Sequence, residues 1–162
     1  MNLPVALAEK GLMLADVSET DLQDYIHVKK ECFKQYVDEY FGGWVDEVQR
    51  EKNAKGFRDM LTRTCFKKIV HEHIIVGFFT YNEQEDKIDG VTIQLLESVR
   101  NMGIGSFCLK HLTALSAETR KPVFLRVFRS NPARRLYMRF GFVVYDQTAS
   151  HDLMRYDPEI PT

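Results

Sequence analysis

Cysteine is scarce in this chain, with only Cys32, Cys65 and Cys108 among 162 residues. Three scattered thiols form neither a disulfide framework nor a zinc-ligand spacing, and they fit a reducing compartment better than an oxidising one. Long apolar runs are also missing, because none approaches the ~20 residues needed to span a bilayer. No single sign of charge dominates. With 22 Lys and Arg against 23 Asp and Glu, the net charge is −1, so no global field draws the chain to nucleic acid or to an anionic membrane. The opening Met1-Asn2-Leu3-Pro4-Val5-Ala6-Leu7-Ala8-Glu9 has no basic start and carries an early acid, which argues against a signal peptide and for a cytoplasmic protein. With 44% apolar and 28% charged residues, the composition is that of a globular protein, and the length fits one domain over residues 1–162.

What is present is an alternation of patterns. Leu12 to Ala15 suggests a short strand, and Ser18-Glu19-Thr20-Asp21 has capping-box spacing at a helix start. Leu22, Tyr25, Ile26, Cys32, Phe33, Tyr36, Val37 and Tyr40 then recur at helical spacing until Gly42-Gly43 breaks the run. A second helical pattern runs from near Trp44 to Leu61. Cys65 to Val70 and Ile74 to Tyr81 are rich in β-branched and aromatic residues and read as a hairpin turning near His71-Glu72-His73. Asn82 to Asp86 reads as a turn before a strand ending near Leu96, although Asp89-Gly90 offers a second place for that turn. Ile104 to Leu115 has an apolar helix face, Pro122 to Phe128 reads as a strand, and Asn131 to Phe140 as a short helix. Phe142 to Tyr145 and Leu153 to Tyr156 supply closing strands. The strands before and after the Ile104 helix are expected to be parallel, because that helix serves as a crossover. An α/β domain (α+β in some schemes) follows, with a mixed sheet flanked by helices.

One junction stands out. Arg100-Asn101-Met102-Gly103-Ile104-Gly105-Ser106 joins an apolar strand to an amphipathic helix. Its glycines permit a sharp turn and a close approach to a ligand. The unpaired amides and dipole of the helix start favour an anion such as a pyrophosphate.

The run Arg100-Asn101-Met102-Gly103-Ile104-Gly105 resembles the Q/R-x-x-G-x-G/A motif of the GNAT superfamily of N-acetyltransferases. Asn131-Pro132-Ala133-Arg134-Arg135-Leu136-Tyr137, ending in Gly141-Phe142, is similar to the later asparagine-to-tyrosine helix of the same superfamily. The order and separation of the two also agree. Phe33, Tyr36, Gly43-Trp44 and Gln49 add a likeness to a large, mostly uncharacterised bacterial-type branch. This resemblance implies a mostly antiparallel mixed sheet in which two central parallel strands splay apart around acetyl-CoA. The implied pantetheine contacts are the backbone at Ile93, Gln94 and Leu95. Asn101, Met102, Gly103, Ile104, Gly105 and Ser106 are implied to wrap the pyrophosphate with Arg100 at its mouth, and Asn131 to touch CoA. Tyr137 falls where the family places a hydroxyl that protonates the departing thiolate. Acetyl-CoA is then a co-substrate, no metal is needed, and a primary amine attacks directly in a ternary complex.

The chain departs from the family pattern at three points. Ser130 stands seven residues before the tyrosine, where asparagine is usual, so either Ser130 or Asn131 is left to make that contact. Glu97 replaces a frequent proline. Gly90, Val91 and Thr92 occupy the stretch where a glutamate base is common, which leaves the base unassigned.

Other residues have plainer readings. Arg126, Arg129, Arg134, Arg135 and Arg139 read as a solvated basic face rather than a nucleic-acid site. His71 and His73 lack a third ligand for a metal, and Cys108 reads as core. Tyr36, Tyr40 and Trp44 are candidates to shape the acceptor pocket or to pack the first two helices. The expected partner is a small amine or a peptide, with no nucleic acid and no membrane. Homodimers are common in the superfamily. A peptide or protein N-acetyltransferase and a catalytically weak acyl-CoA sensor are the alternatives.

Overall fold

The computed structural model describes residues 1–159. Seven strands form one sheet in the order β1-β2-β3-β4-β5-β7-β6. They are β1 (Leu12–Asp16), β2 (Cys65–His71), β3 (Ile74–Glu83), β4 (Ile88–Leu95), β5 (Val123–Phe128), β6 (Val143–Gln147) and β7 (His151–Tyr156). Every neighbouring pair is antiparallel except β4 and β5. The crossover between those two is α4 (Ile104–Thr119).

Alternating side chains place a separate apolar cluster on each face of the sheet. On one face, Ile104, Cys108, Leu109 and Leu112 of α4 meet Ile69, Phe79 and Tyr81, together with Tyr137 of α5 (Ala133–Arg139). On the other face, Tyr25, Val28 and Cys32 of α2 (Leu22–Tyr40) and Phe57 and Met60 of α3 (Asp46–Met60) cover Phe66 and Phe78. β3 is buried on both faces, since Val76 through Tyr81 contains no exposed residue.

Several expected boundaries move. The turn between β3 and β4 lies at Gln84–Lys87, where the Gln84 N–H donates to the Lys87 carbonyl at 2.8 Å. Asp89-Gly90 is therefore not the turn but part of β4. Gly90 has φ +63°, and the pairing slips on both sides of it, so its conformational freedom serves a bulge rather than a reversal. A short helix, α1 (Val5–Ala8), precedes β1 and has no counterpart among the elements expected from the sequence. The Asn131–Phe140 helix is shorter than expected, because Asn131 and Pro132 lie outside its regular part and act as its cap. There the Asn131 Oδ1 accepts from the Ala133 N–H at 2.9 Å.

Candidate active site

β4 and β5 are paired only at Ile88 with Val123 and at Val91 with Leu125. Past Val91 the strands part. The Leu96 N–H donates to Val76 on β3 at 2.8 Å. By strand alternation Gln94 also turns its backbone to β3, while Ile93 and Leu95 turn theirs to the gap. The Leu95 carbonyl is already engaged, accepting from Arg100 Nε at 2.9 Å and from Cys32 Sγ at 3.3 Å. Arg100 thus folds back over the end of β4. The side chain of Gln94 is 1% exposed, and neither its oxygen nor its nitrogen has a partner among the described residues.

At the same end of β4, the amides of Asn101 through Ser106 donate to no backbone or side-chain acceptor among the described residues. Asn101 at φ +64° and Gly103 at φ +97° curl the chain before α4 begins. Glycine suits the second of these positions because a Cβ is disfavoured there. Lys10 holds the loop from outside by donating to the Met102 carbonyl at 3.1 Å. Gly105 serves packing instead, since a Cβ there would stand 3.0 Å from Leu136 Cδ2; its absence lets α5 approach α4. Six free amides at the positive end of a 16-residue helix, beside an open strand edge, suit a diphosphate on an amide-bearing arm.

Tyr137 reaches this gap from the α4–α5 face. Its side chain is buried among apolar groups, and yet it lines the cleft that opens on the opposite face. The parting of β4 from β5 is what connects the two. Burial raises the pKa of the Tyr137 hydroxyl well above the ordinary phenol, with the Cys108 sulfur adding to the effect. The proton therefore stays on this oxygen at any physiological pH. Asn131 also lines the cleft. Ser130 instead turns to α2, donating to Glu39 Oε2 at 2.8 Å and meeting the Tyr40 hydroxyl at 3.1 Å.

The cleft has a volume of about 1020 Å³ and lies between the α2–α3 pair and the splayed strands. Phe128, at the end of β5, is the hub of its roof. Tyr36 and Tyr40 stack on the ring of Phe128, with centroids at 4.9 and 5.8 Å and interplanar angles of 17° and 10°. Those two tyrosines therefore anchor α2 to the sheet. Trp44 lines the cleft, held by Asp38 at its amide (2.7 Å) and by Asp46 at its indole nitrogen (3.0 Å).

His151 is a cleft residue that the sequence does not single out. It pairs with Phe128 across β5 and β7 and packs on that ring at 4.1 Å. Its Nδ1 is 2.7 Å from the Ser150 Oγ. In the tautomer that donates from Nδ1, Nε2 keeps a free lone pair. Burial lowers the imidazole pKa below its ordinary value, and the positive charge of Arg126 lowers it further, so both favour the neutral ring. A neutral imidazole oriented by the Ser150 hydroxyl, with Nε2 open, is competent to accept a proton. No metal-holding group of His, Cys, Asp and Glu occurs among the described residues, and no helix there is long and apolar enough to cross a membrane.

A sheet parted between two parallel strands, with free helix-start amides at the parting, defines the acyl-CoA N-acyltransferase class of fold. Residues 29–142 match the model of the acetyltransferase (GNAT) family. The chain belongs to that family, and acetyl-CoA is its co-substrate. No curated protein matches it in sequence. Among solved structures it is similar to the PaiA N-acetyltransferase of Thermoplasma acidophilum in complex with coenzyme A, with 21% identity and a TM-score of 0.72 over 90% of this chain and 98% of that one. The ribosomal-protein-S18-alanine N-acetyltransferase of Escherichia coli gives 17% identity and a TM-score of 0.66, covering 93% and 96%. Arabidopsis thaliana Naa50 in complex with the bisubstrate analogue CoA-Ac-MVNAL gives 17% and 0.65, covering 91% and 99%.

Proposed function

We propose that the protein acetylates a primary amine by direct attack on acetyl-CoA, with Tyr137 as general acid and His151 as general base. The gap-facing backbone of Ile93 and the Leu95 N–H receive the pantetheine arm, the Leu95 carbonyl being held by Arg100 and Cys32. The amides of Asn101 to Ser106 receive the diphosphate, with Asn131 at the side of the arm. The acceptor enters from the α2–α3 side, where Trp44 stands at the cleft wall.

An ammonium cannot attack until it loses a proton, and its ordinary pKa lies near ~10. His151 takes that proton at Nε2 and passes it to solvent. The freed nitrogen then bonds to the acetyl carbon, and an amide facing the gap from β4 supports the developing oxyanion. As the C–S bond breaks, the electron pair leaves on sulfur and Tyr137 gives it a proton. The second proton shed by the nitrogen restores the phenol. Holding both reactants in one cleft supplies much of the rate, since effective molarity is worth about 7–11 kcal/mol at its favourable limit.

The observation that carries this reading is the coincidence of three features: an open strand edge, six unpaired amides and a buried phenol that meets the cleft through the gap. The E. coli and Arabidopsis neighbours named above favour a peptide terminus as one form of the acceptor. Release of free thiol from acetyl-CoA across a panel of amines, amino acids and short peptides tests the proposal. Saturable release that depends on the amine is expected. Tight acetyl-CoA binding with no turnover on any amine favours the sensor alternative.

A further inference from the structure

The side of the cleft formed by α2 and α3 is basic, and its cations have no ion-pair partner among the described residues. Lys29 comes from α2, Lys52 and Asn53 from α3, and Arg63 from the segment that follows, and all four line the cleft. None of the three cations forms an ion pair among the described residues; the carboxylates that do pair lie with other partners. The one acid on the lining, Asp89, already has Lys87 at 3.7 Å and the Gln84 amide at 2.8 Å. Arg63 is pinned over β4 by a 3.1 Å bond from Nη1 to the Gly90 carbonyl, which leaves its other donors free. The Lys29 ammonium lies 5.8 Å from the centroids of both the Tyr25 and the Phe33 rings. Asn53 is 3% exposed, and its Nδ2 has no acceptor.

An unpaired buried amide at Asn53 and a half-buried ammonium at Lys29 with no counter-ion are each costly, and a fold retains such groups where a ligand completes them; Arg63 and the exposed Lys52 add positive potential at the same spot. The ligand phosphates are seated elsewhere. The amides suited to a diphosphate open α4 on the other face of the sheet. The acceptor, which enters on this side, is the reactant placed to supply the negative charge.

We infer that the acceptor is a small zwitterion whose anionic group docks on Lys29, Lys52, Arg63 and the Asn53 amide while its amine reaches toward His151 and Tyr137. This rests on the acetyltransferase reading and narrows its substrate class to amines that carry a carboxylate or a phosphate. Burial, with repulsion from Lys52 and Arg63, lowers the Lys29 pKa to about 8, and an anion at this spot relieves that strain.

The test uses matched pairs in the thiol-release assay: α-amino acids against the amines left on decarboxylation, and aminoalkyl phosphates against the corresponding amino alcohols. The inference expects an advantage of about tenfold or more in kcat/KM for the anionic member of one set, and which set identifies the group. In Lys29→Met and Arg63→Met that advantage collapses toward one through KM, with kcat moving far less. Equal or better turnover of the uncharged members overturns the inference and leaves the acetyltransferase reading standing. Acetyl-CoA-saturated protein that shows no calorimetric binding of any anionic panel member overturns it as well. A protein that does not bind acetyl-CoA removes the function on which it rests.

Discussion

Val91 on β4 faces Leu125 on β5, and this pair is the last point at which the two parallel strands meet. The cleft and the open edge of β4 both follow from that separation. Beyond it, Ile93 and Leu95 have backbone groups with no strand opposite, and Tyr137 passes from one side of the sheet to the cleft on the other.

If Tyr137 protonates the thiolate, Tyr137→Phe lowers kcat by about 10²-fold, the usual scale for a general acid. The acetyl-CoA Kd stays within about threefold of wild type, because the hydroxyl does not hold the diphosphate. Since the Tyr137 pKa is raised above the ordinary phenol, no alkaline loss of this acid is expected across pH 7–9. Steady-state kinetics with calorimetry on both proteins measure the split.

In the proposed mechanism His151 acts as the neutral imidazole. Its folded pKa lies below the ordinary value, so kcat/KM is flat near pH 7 and falls only as the pH drops past that lowered pKa. His151→Gln keeps the packing on Phe128 in part but has no base; kcat/KM falls by about 10²-fold and the acidic limb assigned to this group disappears. A pH–rate series with both proteins is the check, and an unchanged limb removes His151 from the mechanism.

Two glycines hold the gap and the loop in shape. At Gly77 a Cβ would collide with the Gln94 carbonyl, which is backbone, so Gly77→Ala must push β4 away from β3. Gly103→Ala places a side chain at φ +97° and costs about 1–2 kcal/mol of local strain. Both variants are expected to bind acetyl-CoA more weakly than wild type by titration calorimetry, and Gly77→Ala to melt several degrees lower as well.

Phe128 joins the roof to the sheet through Tyr36, Tyr40 and His151. Phe128→Ala is expected to cost about 3 kcal/mol, the low end for loss of a large aromatic, since the ring is half-buried. Urea unfolding reads the loss directly. The same variant frees the α2 end, so KM for the acceptor rises more than KM for acetyl-CoA.

The strands of the central sheet are legible in the sequence because their β-branched and aromatic runs are bounded by turn residues, and the loop before α4 because glycines and a helix start are local features. Asp89-Gly90 misleads because turn chemistry and bulge chemistry share a left-handed glycine, and only the pairing of β4 distinguishes them. α1 is illegible, since its four residues are too few to show a period. His151 is hidden for a topological reason. β7 inserts between β5 and β6, out of chain order, so its partnership with Phe128 is set by the sheet and not by any nearby residue. The basic wall is hidden in the same way, since Lys29, Asn53 and Arg63 converge only when α2 and α3 close over the sheet. Tyr36 and Tyr40 stand out as aromatic residues on one helix, but their partner lies on β5.

Amide-resolved NMR during titration with coenzyme A addresses the core of the account, that the parted strands and the loop before α4 seat the acyl carrier. The largest shifts are expected at the N–H groups of Asn101 to Ser106 and of Ile93 and Leu95, saturating at one equivalent. Saturable shifts confined to another part of the sheet, or no shifts in folded protein, would contradict it.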